Sequence, residues 1–318
     1  MDRVVIHGAG YVGLTGGVHF ALKGIPVLLY DPDKEVTRNI NSGTPKAEEF
    51  LSYLEADVKK LTKERMLWAT SNFNDILEFQ NHLLAVPTET AGVPNMGIVS
   101  NVVKKLWEEL PAGCTIVIES TISPGTTDSI MKDIIAQTKH NLAVAPRRDW
   151  FADTNKNVSN LPRVVGGYNA DSTKTACELL GLVVQNIMPT DYKTAEVTKS
   201  LENGLLHLQV MYVHQLARVY PDLDIAKAVE LAGTHWRLTP LHLGFGAGGR
   251  CVPLGTKYLL PADGNFPLAD ETWRAEAAHR ALIADIAYKH TPSLGKVLVM
   301  AIRYRPNFKE AGSSPGLE

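Results

Sequence analysis

A short apolar run, Val4-Val-Ile-His7, opens directly into Gly8-Ala9-Gly10-Tyr11-Val12-Gly13. A helical pattern follows to about Lys23, where Gly24 stops it, and a second apolar run, Pro26-Val-Leu-Leu-Tyr30, ends on Asp31. Strand, glycine turn, helix and strand within about 30 residues make a βαβ unit. In such a unit the first glycine permits the tight turn, the second lets backbone approach a pyrophosphate, and the third lets the helix pack on the sheet. The helix start at Tyr11 and Val12 presents its N–H groups to that anion. Asp31 can accept from both ribose hydroxyls and would repel a 2′-phosphate. NAD is therefore the expected cofactor; NADP is less favoured, although Lys34 and Arg38 lie nearby.

Apolar strand patterns recur at 82–86, 115–119, 142–145 and 163–165, separated by helical stretches such as 98–110 and 126–137. The alternation predicts an α/β, Rossmann-like, doubly wound parallel sheet over 1–188. The texture then changes. Residues 191–219 read as one long amphipathic helix with an apolar stripe through Val197, Leu201, Leu205, Leu208, Tyr212 and Leu216. Helices at about 224–233 and 271–288 flank the glycine-rich segment Gly244–Cys251, which predicts an α-helical dimerisation and substrate domain over 189–292. Residues 153–162 and 261–270 read as loops, and Gly295-Lys-Val-Leu-Val299 reads as a strand opening a third domain over 293–318.

The 318 residues suggest about two domains of roughly 150 residues. A net charge of −2 gives no field for nucleic acid or an anionic membrane. No apolar run reaches the ~18 residues of a membrane span, and no signal peptide precedes the first strand. Three widely spaced cysteines argue against a disulfide framework and for a reducing cytoplasm. The ten histidines show no HxH or HExxH spacing, so no metal is expected. His207 and His214, seven apart on the long helix, read as a packing or dimer face.

Several segments in order resemble the UDP-glucose/GDP-mannose dehydrogenase family. Gly8-Ala-Gly-Tyr-Val-Gly-Leu14 resembles its cofactor loop; Val86-Pro87-Thr88 and Glu119-Ser120-Thr121 through Thr127 resemble its later cofactor-contacting turns. Ala145-Pro-Arg147-Arg148 with Arg163-Val-Val-Gly-Gly167 is similar to the family's PER…RVIGG. Lys199-Ser-Leu-Glu-Asn203 resembles its KxxxN helix, and Gly246-Ala-Gly-Gly249-Arg250-Cys251 its cysteine loop. Residues 295–299, Tyr304-Arg-Pro-Asn307 and Ser314-Pro315 resemble the start of its third, nucleotide-binding domain. The resemblance implies a Rossmann domain, a central dimerisation domain and a homodimer through the long helix. It also implies NAD-linked alcohol oxidation, with a cysteine attacking an aldehyde intermediate.

Lys199 and Asn203 stand one helical turn apart, so a lysine donor and an amide can act on one reacting oxygen. Thr121 is placed to position water or cofactor. In the glycine-rich loop, backbone N–H groups and Arg250 would favour a Cys251 thiolate. Two positions depart from the family: Arg147 stands where it has a glutamate, and Gly255, four residues after Cys251, where it has an aspartate. Acids have gone from segments where Arg147, Arg148 and Arg250, with Gly249, are expected near substrate. Arginine suits bidentate binding of phosphate, phosphonate or carboxylate; pairing of Arg147 and Arg148 with Asp149 and Asp153 is the alternative. The leading expectation is thus a single two-electron alcohol/ketone interconversion on a small anionic substrate, with Lys199 as general acid/base. The alternatives are four-electron oxidation of a nucleotide sugar to a uronic acid through Cys251, and a non-catalytic NAD-sensing protein.

Overall fold

The computed structural model describes residues 3–46, 56–134, 138–150, 153, 155–238, 241–249, 251–261, 264–292 and 295–298. Two compact units divide it, Met1–Lys199 and Ser200–Glu318. The first begins with β1 (Val4–His7), α1 (Tyr11–Leu22), β2 (Val27–Tyr30), α2 (Lys34–Asn41), α3 (Val58–Lys63), β3 (Leu67–Thr70) and β4 (Asn81–Leu84). A two-residue hairpin, β5 (Glu89–Thr90) and β6 (Val93–Pro94), precedes α4 (Gly97–Glu109), β7 (Thr115–Ile118), α5 (Thr126–Lys132) and β8 (Asn141–Val144). β9 (Arg163–Gly167), α6 (Ala170–Gly181) and β10 (Ile187–Asp191) follow, and α7 (Tyr192–Val219) crosses into the second unit.

Among the described residues the main sheet has eight strands in the order β10-β9-β8-β7-β4-β1-β2-β3. β1 and β7 are buried along their whole length, which is why they read as unbroken apolar runs rather than alternating ones. One core packs against each face: Val4, Ile6 and Leu29 in the first, Val5, Ile116 and Ile118 in the second. Side-chain caps set the helix starts: Asp33 accepts from Glu35 N at 2.7 Å ahead of α2, and Asn169 from Ser172 N at 2.8 Å ahead of α6.

The sheet differs from the expected all-parallel one in a single pairing. β9 runs antiparallel to β8, and β10 then runs parallel to β9. The predicted strands omit β3 and β10, the two edges. β3 buries only alternate residues, and the β10 sequence, Ile-Met-Pro-Thr-Asp, carries a proline of the kind confined to sheet edges. The helix expected over 126–137 ends at Lys132.

The second unit adds α8 (Ile225–Ala232), α9 (Cys251–Tyr258) and α10 (Pro267–His290). The apolar stripe of α7 does not pack into it: Val197, Leu201, Leu205 and Tyr212 are exposed. The buried side beyond residue 199 is Ser200, Gly204, His207, Met211, Val213 and His214, a face that mixes apolar side chains with the hydrogen-bonded His207 and His214. Residues 295–298 form no regular element, and the rest of the expected third-domain start lies outside the described residues. No described helix is long and apolar enough to cross a membrane. No cluster of three or more His, Cys, Asp or Glu among the described residues could hold a metal.

Four histidines, His7, His19, His82 and His140, are buried in the first unit. His82 Nε2 donates to the Phe79 carbonyl at 3.0 Å, leaving Nδ1 to accept from His7 Nε2 at 3.0 Å. Burial pushes His82 down to about 4, and burial with the neighbouring His82 holds His7 well below the ordinary imidazole value. Burial, then the Arg147 charge, lowers His19 to about 4. Below about pH 6.5 the unfolded chain therefore takes up protons that the fold refuses, and stability falls from there to about pH 4. His82→Gln should flatten this slope by up to about 3 kcal/mol, at ~1.4 kcal/mol per pKa unit. Urea unfolding of both proteins at pH 7, 5.5 and 4.5 checks it; parallel pH profiles would contradict it.

Candidate active site

The glycine loop is built by close approach. Gly8 has φ +90°, and a Cβ there would lie 2.6 Å from the Ala85 carbonyl oxygen. A Cβ on Gly13 would lie 1.8 Å from the Gly8 carbonyl oxygen, which no side chain tolerates. Gly10 differs: its φ is −68°, and a Cβ would meet nothing within 4 Å. Protein packing thus explains the first and third glycines but not the second, whose open face fits an approaching pyrophosphate. Helical bonding begins with Leu14 N donating to Gly10 O at 2.8 Å, so the N–H groups of the first turn at Tyr11, Val12 and Gly13 are the ones facing an anion.

Asp31 holds this loop from the end of β2. Its Oδ2 accepts from Ala9 N at 2.9 Å and its Oδ1 from Asp33 N at 3.0 Å. The carboxylate stays partly exposed, with lone pairs left for a ribose hydroxyl. Across the sheet, Ser120 Oγ donates to the Val86 carbonyl at 2.7 Å, which ties the turn after β7 to Val86-Pro87-Thr88 after β4. Thr121 follows, half-buried, and Thr88 is buried. These residues all emerge at the carboxyl ends of the adjacent strands β7, β4, β1 and β2, where open α/β sheets take their ligands.

Arg147 requires a correction. It is buried, and its nitrogens are spent inside the protein rather than offered to a substrate anion. Nε and Nη2 donate to the two Asp149 oxygens at 2.7 and 2.8 Å. Nη1 donates to Val12 O at 3.0 Å, and Nη2 also reaches Thr15 Oγ1 at 3.1 Å. Glu119 lies 3.7 Å from Nη1 and pairs with buried Arg163, which also donates to Ala145 O. Two arginines and two carboxylates therefore neutralise one another beneath the cofactor loop. Burial alone would raise the Asp149 carboxyl, but the charge and hydrogen bonds of Arg147, with Arg163 behind, hold it below the usual carboxylate range. Pairing with Asp149 was the alternative reading of Arg147, but inside the protein rather than at its surface. Arg148 is half-buried and donates to Pro162 O at 2.9 Å.

On α7, Lys199 and Asn203 are half-buried, and His207, four residues further, is fully buried on the same winding face. In the second unit Cys251 is exposed and is the first residue of α9, not part of the loop. The loop ahead of it is pinned at two places. Gly244 N donates to His214 Nε2 at 2.9 Å, and Gly244 O accepts from His279 Nε2 at 2.8 Å. Buried Glu276 takes Ala247 N at 3.3 Å and His207 Nε2 at 3.0 Å, while His207 Nδ1 meets the Thr256 hydroxyl at 2.9 Å. Arg280 donates to the other Glu276 oxygen at 2.9 Å. Burial pushes the Glu276 carboxyl up, but the bonds from His207 and Arg280 outweigh it and hold it low. Gly249 lies in this loop at φ +79°, and Arg250 lies outside the described residues.

Sequence reasoning missed the partners of these groups. Glu119 and Arg163 sit at strand ends and Asp149 two residues past Arg147, a faint signal of internal pairing. Glu276 and Thr256 gave none: one is a charge on an amphipathic helix, the other a hydroxyl in a helical run.

The UDP-glucose/GDP-mannose dehydrogenase family model matches through its NAD binding domain at residues 2–182 and its central domain at 193–276. This chain belongs to that family of NAD-dependent oxidoreductases acting on CH–OH groups. A UDP-N-acetyl-D-mannosamine dehydrogenase of Methanococcus aeolicus is 26% identical across 99% of this chain and 74% of its own length. The solved UDP-D-ManNAc dehydrogenase of Pyrococcus horikoshii superposes with a TM-score of 0.83 at 26% identity, over 90% of this chain and 71% of that one. The UDP-N-acetyl-mannosamine dehydrogenase of Staphylococcus aureus shares the fold, with a TM-score of 0.84 at 21% identity over 99% and 78% of the two chains.

The glycines separate fold from cofactor. Gly10→Ala should leave thermal stability within about 0.5 kcal/mol while removing most NADH affinity, whereas Gly13→Ala should destabilise the unit itself. Calorimetric melting and NADH fluorescence titration of both variants check this. Unchanged NADH binding in Gly10→Ala would refute the pyrophosphate reading of that open face.

Proposed function

We propose that this chain oxidises a nucleotide-linked sugar, of the UDP-N-acetylhexosamine class named for its relatives, by a four-electron reaction through Cys251. The observation that carries the reading is the placing of Cys251, exposed at the head of α9 and preceded by a loop that Glu276, His214 and His279 hold in shape. NAD, which the Gly8–Gly13 loop and Asp31 would hold, would supply the hydride acceptor for the carbinol carbon. Lys199 and Asn203 supply an ammonium and an amide to the substrate oxygen, steadying it as its proton leaves and a carbonyl forms. The Cys251 thiolate then adds its sulfur to the aldehyde carbon. A second NAD would supply the two-electron oxidant for the thiohemiacetal so formed; water then cleaves the carbon–sulfur bond of the resulting thioester, which releases the carboxylate and returns the thiol. Ser120 and Thr121 border the cofactor at the strand ends and keep those turns in place.

A second reading is favoured by Gly255. A Cβ built there would lie 2.2 Å from Asn203 Cβ, so α7 has closed on the place where the family resemblance leads one to expect an aspartate. With Arg147 also turned inward, neither expected carboxylate is present to activate the hydrolytic water. On this reading the reaction stops after one two-electron step, an alcohol/ketone interconversion on a small anionic substrate with Lys199 as general acid/base. Arg148 and Gly249 remain candidates to line that substrate's site.

NADH counted per substrate consumed separates the two, with UDP-N-acetylmannosamine and a panel of phosphorylated alcohols as substrates. The first reading expects two NADH and a carboxylate, and no more than one NADH from Cys251→Ser. One NADH from the native protein, with Cys251→Ser turning over as fast, would overturn it in favour of the second.

The exposed stripe Val197, Leu201, Leu205 and Tyr212 supports pairing of α7 with a second copy of the chain. Leu201→Glu with Leu205→Glu should convert a dimer to a monomer in sedimentation equilibrium. A native protein that sediments as a monomer would refute the pairing.

A further inference from the structure

We infer that Arg147 is a positioning residue for the cofactor's pyrophosphate, acting through the first turn of α1, rather than a substrate-binding residue. The loop is fastened at two ends. At Ala9 the fastening is Asp31, through the 2.9 Å bond to the backbone N–H. At the helix end it is Arg147, which donates to Val12 O at 3.0 Å and to Thr15 Oγ1 at 3.1 Å. Thr15 passes the restraint on, because its hydroxyl donates to Tyr11 O at 2.8 Å and Val12 O at 3.0 Å. The carbonyls held this way, of Tyr11 and Val12, share their peptide planes with the N–H groups of Val12 and Gly13, two of those that face the anion, so fixing one end of each peptide aims the other.

Two features show that the arrangement is built rather than incidental. A Cβ on Gly16 would lie 2.7 Å from Arg147 Nη1, so the guanidinium occupies a space that α1 leaves only by having glycine at this position. The fork of Asp149 grips Nε and Nη2 from the opposite side, which fixes the plane of the guanidinium. A cation beside a helix N-terminus is unfavourable on its own; here Asp149 and Glu119 balance it, and a bound pyrophosphate would balance it further. The inference rests on the NAD-binding character of the first domain and not on which substrate is oxidised.

The test is ligand binding without turnover. NADH is titrated by its own fluorescence, and ADP and AMP compete for the site. ADP keeps the pyrophosphate, whereas AMP keeps the adenosine ribose that faces Asp31 but lacks the second phosphate. Arg147→Met should weaken NADH and ADP alike by about tenfold, the ~1.4 kcal/mol of one lost charge-assisted hydrogen bond, and leave AMP within about twofold. Arg147→Lys should recover part of the loss, since a lysine keeps one donor toward Val12 O. Thr15→Val, a milder change for use if Arg147→Met does not fold, should show the same selective loss at about threefold. Equal weakening of all three ligands would mean general loosening and overturn the inference. So would unchanged ADP affinity in either variant, or a loss confined to the KM of the oxidised substrate.

Discussion

The approach of Gly13 to the Gly8 carbonyl oxygen is the constraint from which the first unit follows. A Cβ at 13 would lie 1.8 Å from that oxygen, so the turn closes only without one. Closing it brings α1 down on β1 and leaves the first-turn N–H groups pointing over the carboxyl ends of the strands. β1 sits between β4 and β2 in the middle of the sheet, so the loop inherits its rigidity from strands that are buried on both faces. Asp31 and Ser120 then work as short ties between neighbouring strand ends, through side-chain hydrogen bonds to main-chain groups.

Both units rely on a buried charge network beneath a glycine-rich loop. In the first it is Glu119, Arg147, Asp149 and Arg163; in the second it is Glu276 with His207 and Arg280. Taking such charges out of water costs several kcal/mol each, and the networks are weak evidence for stability as such. Their value lies in geometry. A carboxylate satisfied by three or four donors has one position, and so has the loop bonded to it. Glu276 reaches the loop at Ala247 and α7 at His207, whose other ring nitrogen meets Thr256 on α9.

The parts legible in the sequence were those with a local cause. The glycine loop, Asp31, α7 and α10 declare themselves through turn chemistry and period, because a strand run into glycines and a sustained helical repeat need no partner to be read. β10 was not legible, since an edge strand with Pro189 and exposed polar residues carries almost no pattern. The stripe on α7 was legible as a stripe, with Val197, Leu201, Leu205 and Tyr212 exposed, but period alone does not say which face meets the protein. Arg147 was misread for a related reason: sequence shows a charge but not its neighbours, and only the fold brings Asp149, Glu119 and Val12 within reach of one guanidinium.

Arg147 and Gly255 share a property that bears on the chemistry of the family. At each, the structure has closed over the position from which a carboxylate is absent. Around 147 the donors, Gly16 and Asp149 form a set, so a glutamate placed there would join Glu119 and Asp149 with only Arg163 to balance three buried acids. At 255 the backbone of α9 lies against Asn203 and Gly204, and a side chain needs the helices to part. Neither site is a vacancy awaiting its old residue. On the proposed mechanism the proton-handling group along α7 is Lys199, with Asn203 to orient the reacting oxygen, while His207 further along is bonded to Thr256 and Glu276.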